Sequence, residues 1–422
     1  MIGFLTRRST FSALGHRDFR RYWTGSLISL VGTWMQSTAQ SYLVWDLTRN
    51  PLATSLPFLF FSLPSTVLAL VGGVAADRVD RRKLLLGTQT AFTLQAALLA
   101  GLTLSGHIRI WEIYLLALAS GIVMAFDGPA RQSLVPSLVD RDVLTNAIAV
   151  NATAFNASRV VGPPLAGLVY AVAGPGWCFA INAASYCAVL YPLWIIRPTP
   201  RASGLRQTRV WDDLREGIAY VRGHAVTRTI LQLVALVGTF GFTHVVLMPV
   251  MATSLGGGPA ENGYLLGAVG AGATLGVLGV ATVGSLRRPG QVIIGLAGAG
   301  AACLLAFAFS RHLLLSLVLS AGVGGTIMGF LATSNSTIQG SVPDALRGRV
   351  MSIYTLALIG SGPLNSLVAG VLGNVLGAAR AIALSAVILG VAVATVSVRN
   401  RRVVTLEAPS LFAVDPSMAG GE

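Results

Sequence analysis

Two charged residues stand deep inside apolar runs of this sequence. Asp127 lies in the run 111–133 and Arg159 in the run 145–173. A charge at the centre of a membrane-spanning helix costs roughly 2.5–3.5 kcal/mol on insertion scales, so each should face protein and hold a partner. Arg131 follows Asp127 by one helical turn, which fits a structural ion pair, with Arg81 as the other available cation. An acid at that depth is equally able to carry a proton. His244, in the run 227–251, titrates near working pH and is a second proton-coupling candidate; the other reading is a hydrogen-bonded helix contact. A third cluster falls in "GGVAADRVDRRKLLL", where Asp77 to Lys83 packs four basic and two acidic residues. A carboxylate at the C-terminal end of a helix opposes the helix dipole. Asp77 therefore needs Arg78, Arg81, Arg82 or the N-terminus of another helix beside it.

The elements that must position these residues are set by lipid. The chain has 422 residues, 54% hydrophobic and 11% charged, against about 25% charged in soluble domains. A helix needs about 20 apolar residues to cross the hydrocarbon core. Twelve runs qualify: 22–46, 52–76, 84–105, 111–133, 145–173, 176–196, 227–251, 262–284, 291–310, 312–335, 351–377 and 379–398. The first run is too long, and lacks a clear cleavage site, for a signal peptide.

An even number of spans puts both termini on one side. Twenty-five of the 30 basic residues then share that side, including Arg7, Arg8, the 77–83 loop, the 197–228 linker and Arg399. Only Arg49, Arg109, Arg311 and Arg380 fall opposite. The bias makes the basic side cytoplasmic and accounts for the net charge of +14 without nucleic acid. The expected location is the inner (cytoplasmic) membrane, multi-pass, with both termini cytoplasmic.

Near-constant offsets point to a duplication. "QSLVP" at 132–136 matches "QGSVP" at 339–343; Gly73 with Arg81 and Arg82 matches Gly279 with Arg287 and Arg288; Gly162-Pro163 matches Gly362-Pro363. The expected fold is an all-α membrane protein with twelve transmembrane helices in two pseudo-symmetric six-helix halves. Its parts are a cytoplasmic N-terminus (1–21), an N-terminal bundle (22–196), a linker with an amphipathic helix (197–226), a C-terminal bundle (227–398) and a cytoplasmic tail (399–422). In the linker, Trp211, Leu214, Ile218 and Val221 share one helical face, as in a connector lying on the membrane surface.

Several chemistries are absent. Cys178, Cys187 and Cys303 lie in apolar runs without metal-ligand spacing. "GAGATLG" at 270–276 follows no strand, so Gly272 and Gly276 read as helix packing rather than a nucleotide loop. No Walker sequence, catalytic triad or HExxH occurs. No enzyme, cofactor or metal is expected. A small-molecule substrate and the lipid bilayer are the expected partners, with the protein a monomer. Ser29, Gly32, Gln36 and Gln40 make a polar stripe on the first span, and Thr239, Thr243, Thr326 and Thr333 add hydroxyls on the seventh and tenth. They suit either a cavity wall or hydrogen bonds between helices.

Gly73, Asp77, Arg78, Arg81, Arg82 and Leu85 resemble the loop signature G-x-x-x-D-R-x-G-R-R/K-x-x-L of the major facilitator superfamily, with Asp80 in place of its usual Gly. The resemblance extends over nearly the whole chain. It implies that Asp77 docks on the N-terminus of the eleventh helix, near 350–352. With Arg81 and the fourth-helix acid, Asp127, it would latch the cytoplasmic gate in the outward-facing state. Val283 stands where the second copy would repeat Asp77. It further implies that helices one, four, seven and ten line the cavity. Span five partly resembles the antiporter motif G-x8-G-x3-GP-x2-GG of exporters, through Ala149, Ser158, Gly162, Pro163, Ala166 and Gly167, with Arg159 beside it. "WDLTRNPLATSL", "FDGPARQSLVP" and "LTNAIAVNATAFNASRVVGPPLAG" resemble the bacterial exporters of enterobactin and macrolides. The resemblance implies a secondary transporter that exports bulky amphipathic molecules, such as siderophores or antibiotics, driven by the proton gradient. An importer of a small organic solute, or a non-transporting sensor or assembly subunit on the same fold, are the alternatives.

Overall fold

The structure, a computed structural model, describes residues 11–196, 210–283, 288–400 and 405–406; the side chains of Leu70, Asp77, residues 210–213 and Val283 lie outside the description. The expected N-terminal segment through residue 10, linker residues 197–209, Arg287 and the tail from residue 407 also fall outside it.

The first half runs α1 (Arg17–Thr48), α2 (Pro51–Val67), α3 (Ala69–Arg78), α4 (Arg81–Leu104), α5 (Ile110–Leu134), α6 (Leu144–Ala173) and α7 (Pro175–Ile195). A short helix, α8 (Val210–Gly223), precedes the second half. That half is α9 (Ala225–Leu236), α10 (Thr243–Val246), α11 (Met248–Ser254), α12 (Pro259–Val283), α13 (Pro289–Phe309), α14 (Leu313–Ser341), α15 (Asp344–Leu376) and α16 (Ala378–Arg399). Among the described residues, nine helical stretches are long and apolar enough to cross a membrane by length and composition. The expected twelve is not reached on that measure, and the reasons are local. α1 and α6 have the length, 32 and 30 residues, but carry too many polar side chains. The second expected span is broken at Leu68, one turn after Pro64.

Local chemistry places the breaks. Asn50 caps α2, its Oδ1 accepting from the Ala53 N–H at 3.1 Å, with Pro51 in the first turn. Asp80 caps α4 in the same way, accepting from the Lys83 N–H at 2.9 Å. That gives a reason for an acid where the signature has glycine. Gly174 (φ +87°) joins α6 to α7 and Gly377 (φ +83°) joins α15 to α16. Only glycine adopts such a conformation without strain. The two hairpins sit at equivalent places in the halves.

Small residues set the packing within each half. A Cβ on Gly25 of α1 would lie 2.0 Å from the Ala188 carbonyl oxygen of α7, and one on Gly272 of α12 would lie 1.9 Å from the Ala321 oxygen of α14. These pairs of helices touch backbone to backbone. Between the halves, α6 runs along α12 and α2 along α15. Close approaches recur on the first seam at Gly263 against Pro163, Gly267 against Pro164 and Gly270 against Arg159, and on the second at Gly370 against Ser55. Trp45 Nε1 donates to Thr253 Oγ1 at 2.9 Å at the rim. These contacts run from the middle of the helices to the face away from the chain ends. On the chain-end face, among the described residues, α3 packs chiefly on α5, and α15 packs on α8 and α9, each within its own half.

Candidate functional site

Asp127 is the centre of a polar node in the first half. It is 1% exposed on α5. Its Oδ1 accepts from Thr88 Oγ1 at 2.7 Å and Gln89 Nε2 at 2.6 Å, both on α4. Its Oδ2 accepts from Arg131 Nε at 2.5 Å. Tyr22 of α1, itself buried, lies within electrostatic reach of both charges. Every partner donates, which suits an ionised carboxylate. Sequence reasoning offered Arg131 or Arg81 as the partner and missed Thr88 and Gln89. Their only signal was a polar pair in an apolar run, on a helix whose facing could not be read.

The loop arginines bond within their own half. Arg81 Nη1 donates to the Ser133 carbonyl of α5 at 3.2 Å. Arg82 donates to the Leu193 and Trp194 carbonyls at 2.5 and 2.6 Å, capping the C-terminal end of α7 with positive charge. Arg78 is exposed, and the Asp77 side chain lies outside the described residues. The close helix approach falls at Gly72, where a Cβ would lie 1.9 Å from the Ala125 oxygen; one on Gly73 would meet nothing within 4 Å.

On α6, Ser158 and Gly162 are buried, and a Cβ on Gly162 would lie 2.5 Å from Trp34 Cβ of α1. Pro163 and Gly167 face α12 instead, with Gly167 against the Pro259 oxygen at 2.5 Å by the same measure. Arg159 Nε is buried without a hydrogen-bond partner.

A cavity of about 290 Å³ opens between the halves at mid-depth. Phe58, Phe61, Ser62 and Thr66 of α2 form one wall; Gly238, Phe242, Ser361 and Asn365 are among the residues of the other. None of its lining residues is charged. The chain between α9 and α10 passes through a wide turn at Val237–Gly241, a local under-wound bulge of the kind frequent at functional sites. Asn365 Nδ2 donates to the Thr239 carbonyl in that turn at 2.7 Å and to Thr243 Oγ1 at 3.4 Å.

The residues expected on the cavity wall do not line it. Gln36 points into the first half, donating to Gln95 Oε1 of α4 at 2.9 Å and accepting from Asn182 Nδ2 of α7 at 2.8 Å. Gln40 is buried, 8% exposed. Thr326 and Thr333 bond to carbonyls of their own helix at 2.7 and 2.8 Å. Thr239 and Thr243 flank the cavity through Asn365. His244 is fully buried, its Nδ1 3.0 Å from the Gly241 carbonyl and its ring edge-on to Phe307 of α13. It belongs to the interior of the second half. The polar wall residues missed from sequence, Ser62, Ser65, Thr66, Ser361 and Asn365, lie among apolar residues of α2 and α15.

Two helical halves meeting over a mid-depth cavity is the architecture of membrane transporters. The nucleoside transporter NupG shares it at a TM-score of 0.72, over 90% of this chain and 99% of that one, at 14% identity. Among sequence relatives, the multidrug efflux pump Tap of Mycolicibacterium fortuitum is 28% identical over 364 residues, 83% of this chain and 88% of Tap. The enterobactin exporter EntS of Shigella boydii is 25% identical over 400 residues, 92% of this chain and 93% of EntS. Residues 8–417 match the transmembrane secretion effector family, and the chain belongs to that family within the major facilitator superfamily. It is a transporter, not an enzyme.

Proposed function

We propose that this protein is an exporter of the bacterial cytoplasmic membrane, with both termini cytoplasmic, that moves amphipathic small molecules outward by alternating access. The observation that carries the reading is the one-sided contact between the halves. The close α6–α12 and α2–α15 approaches lie from mid-depth to the face away from the chain ends, while on the chain-end face the main described contacts are within each half. Rocking about such a seam exchanges the open side. The similarity to an efflux pump and a siderophore exporter supports the outward direction. The proton gradient is the energy source we assign, with no bound cofactor. Inverted membrane vesicles, energised and monitored with a pH-sensitive dye, test this. Adding a transported compound should release protons; the absence of release with a macrolide, a catecholate and a lipophilic cation, with protein present in the membrane, would count against proton-driven export.

A further inference from the structure

Arg159 is a half-buried cation, and no acidic side chain among the described residues pairs with it. It sits midway along α6, about 22 Å from the Leu144 end at 1.5 Å per residue. Its Nε is buried and unbonded, and no charged group among the described residues acts on it. Nor do the described helices place another carboxylate beside it. Of the 16 acidic residues, Asp127 alone lies in the interior of a membrane-length helix. The others are in loops or tails, on α8, or within three residues of a helix end. Asp127 is already held by Arg131, Thr88 and Gln89, and it stands only about 10 Å from the chain-end side of its helix. Arginine does not shed its proton in proteins. A cation at that depth, with no acid beside it among the described residues, is a ready partner for an anion from outside the chain.

The surroundings describe that anion. The Arg159 carbonyl touches Gly270 at the last close approach on the α6–α12 seam; the next glycines of α12, Gly272 and Gly276, face α14 instead. The Arg159 backbone therefore lies against α12, midway along α6. One turn along α6 toward its Leu144 end, Phe155 is 47% exposed and packs edge-on against Trp34 at 6.0 Å between ring centres. A fixed positive charge lies beside an accessible aromatic surface.

We propose that Arg159 is the anion-binding subsite of the central cleft, and that the cargo is an amphipathic organic acid whose carboxylate docks on the guanidinium while its apolar body lies on Trp34 and Phe155. The inference rests on the transporter reading and sharpens it, because the cavity on the α2–α15 side offers no charge. A guanidinium gives a carboxylate two parallel hydrogen bonds, and a dry site strengthens them.

The probe pair is 1-pyrenebutyrate and its methyl ester, which share the aromatic body and differ in the carboxylate charge and one methyl group. Binding to the purified full chain in neutral detergent is read by energy transfer from tryptophan to pyrene. The wild type should bind the acid at least about tenfold more tightly than the ester, as expected of a charge-assisted bond. Arg159→Gln should bring the two within about twofold by removing only the charged bond, and ester affinity should stay unchanged, which also reports that the variant is folded. Arg159→Lys should keep part of the preference. Equal binding of acid and ester by the wild type, or an acid preference that survives Arg159→Gln, overturns the proposal. So does displacement of the acid by phosphatidylglycerol but not by unlabelled fatty acid, which assigns the site to a lipid headgroup. Transport is scored separately: wild type that binds the acid selectively but exports nothing overturns the exporter reading and leaves the subsite standing.

Discussion

Asp127 and Arg131 form an ion pair within one turn of α5, 2.5 Å apart, with the acid 2% and the base 22% exposed at the side chain. Thr88 and Gln89 complete the carboxylate from α4, so the node ties two helices together. Removing one partner of a buried pair leaves the other charge uncompensated, which costs about 3 kcal/mol or more. Asp127→Asn should therefore lower the thermal midpoint in detergent clearly, and Asp127→Asn with Arg131→Gln should recover part of the loss. If Asp127→Asn keeps the wild-type midpoint and loses only proton-driven accumulation, the residue carries protons and the structural account fails.

The seam between the halves should be convertible into a wedge. A Cβ on Gly263 would lie 2.4 Å from the Pro163 carbonyl oxygen. Gly263→Val should push α12 from α6 and open the face that is closed here. A cysteine at Ser55, which packs against Gly370 on the other seam, reports this in a background with Cys178, Cys187 and Cys303 replaced. Labelling by a membrane-impermeant maleimide from outside should rise severalfold. Unchanged labelling would show that the α6–α12 contact does not hold the face shut.

Asn365 joins the wide turn of the second half to α15. Asn365→Ala strands the Thr239 carbonyl in a buried site, a loss of about 2 kcal/mol. Transport should fall while membrane insertion persists, and Asn365→Asp should not rescue it, because a carboxylate cannot donate to a carbonyl. Full transport by Asn365→Ala would make the turn incidental.

The Asp80 cap gives a small and sharp expectation. Asp80→Ala should cost about 1 kcal/mol and Asp80→Gly only a few tenths, read as midpoint shifts. Equal losses would mean that the acid acts through its charge rather than through the Lys83 N–H.

Charge was the most legible feature of the sequence, because lipid makes every buried charge expensive and so informative. The four-residue spacing of Asp127 and Arg131 carried their pairing directly. The facing of polar helices was not legible. Ser29, Gly32, Gln36 and Gln40 do share a stripe, but periodicity says which residues lie together and not which neighbour they meet. Gln36 meets Gln95 and Asn182 because Gly32, one turn earlier, lets α7 approach: a Cβ there would lie 2.5 Å from Asn182 Oδ1. The break at Leu68 has a local antecedent in Pro64, one turn earlier, whereas no local pattern announces the wide turn at Val237–Gly241.

The hairpins at Gly174 and Gly377 belong to a wider economy of backbone. On the face away from the chain ends, the helices are joined by single residues at these two points and elsewhere by no more than the five residues 105–109. That face offers proteases and antibodies almost no extended chain to grip, since nicking needs an exposed, yielding loop. Limited digestion of intact cells should leave the protein whole, and digestion of inverted vesicles should cut it.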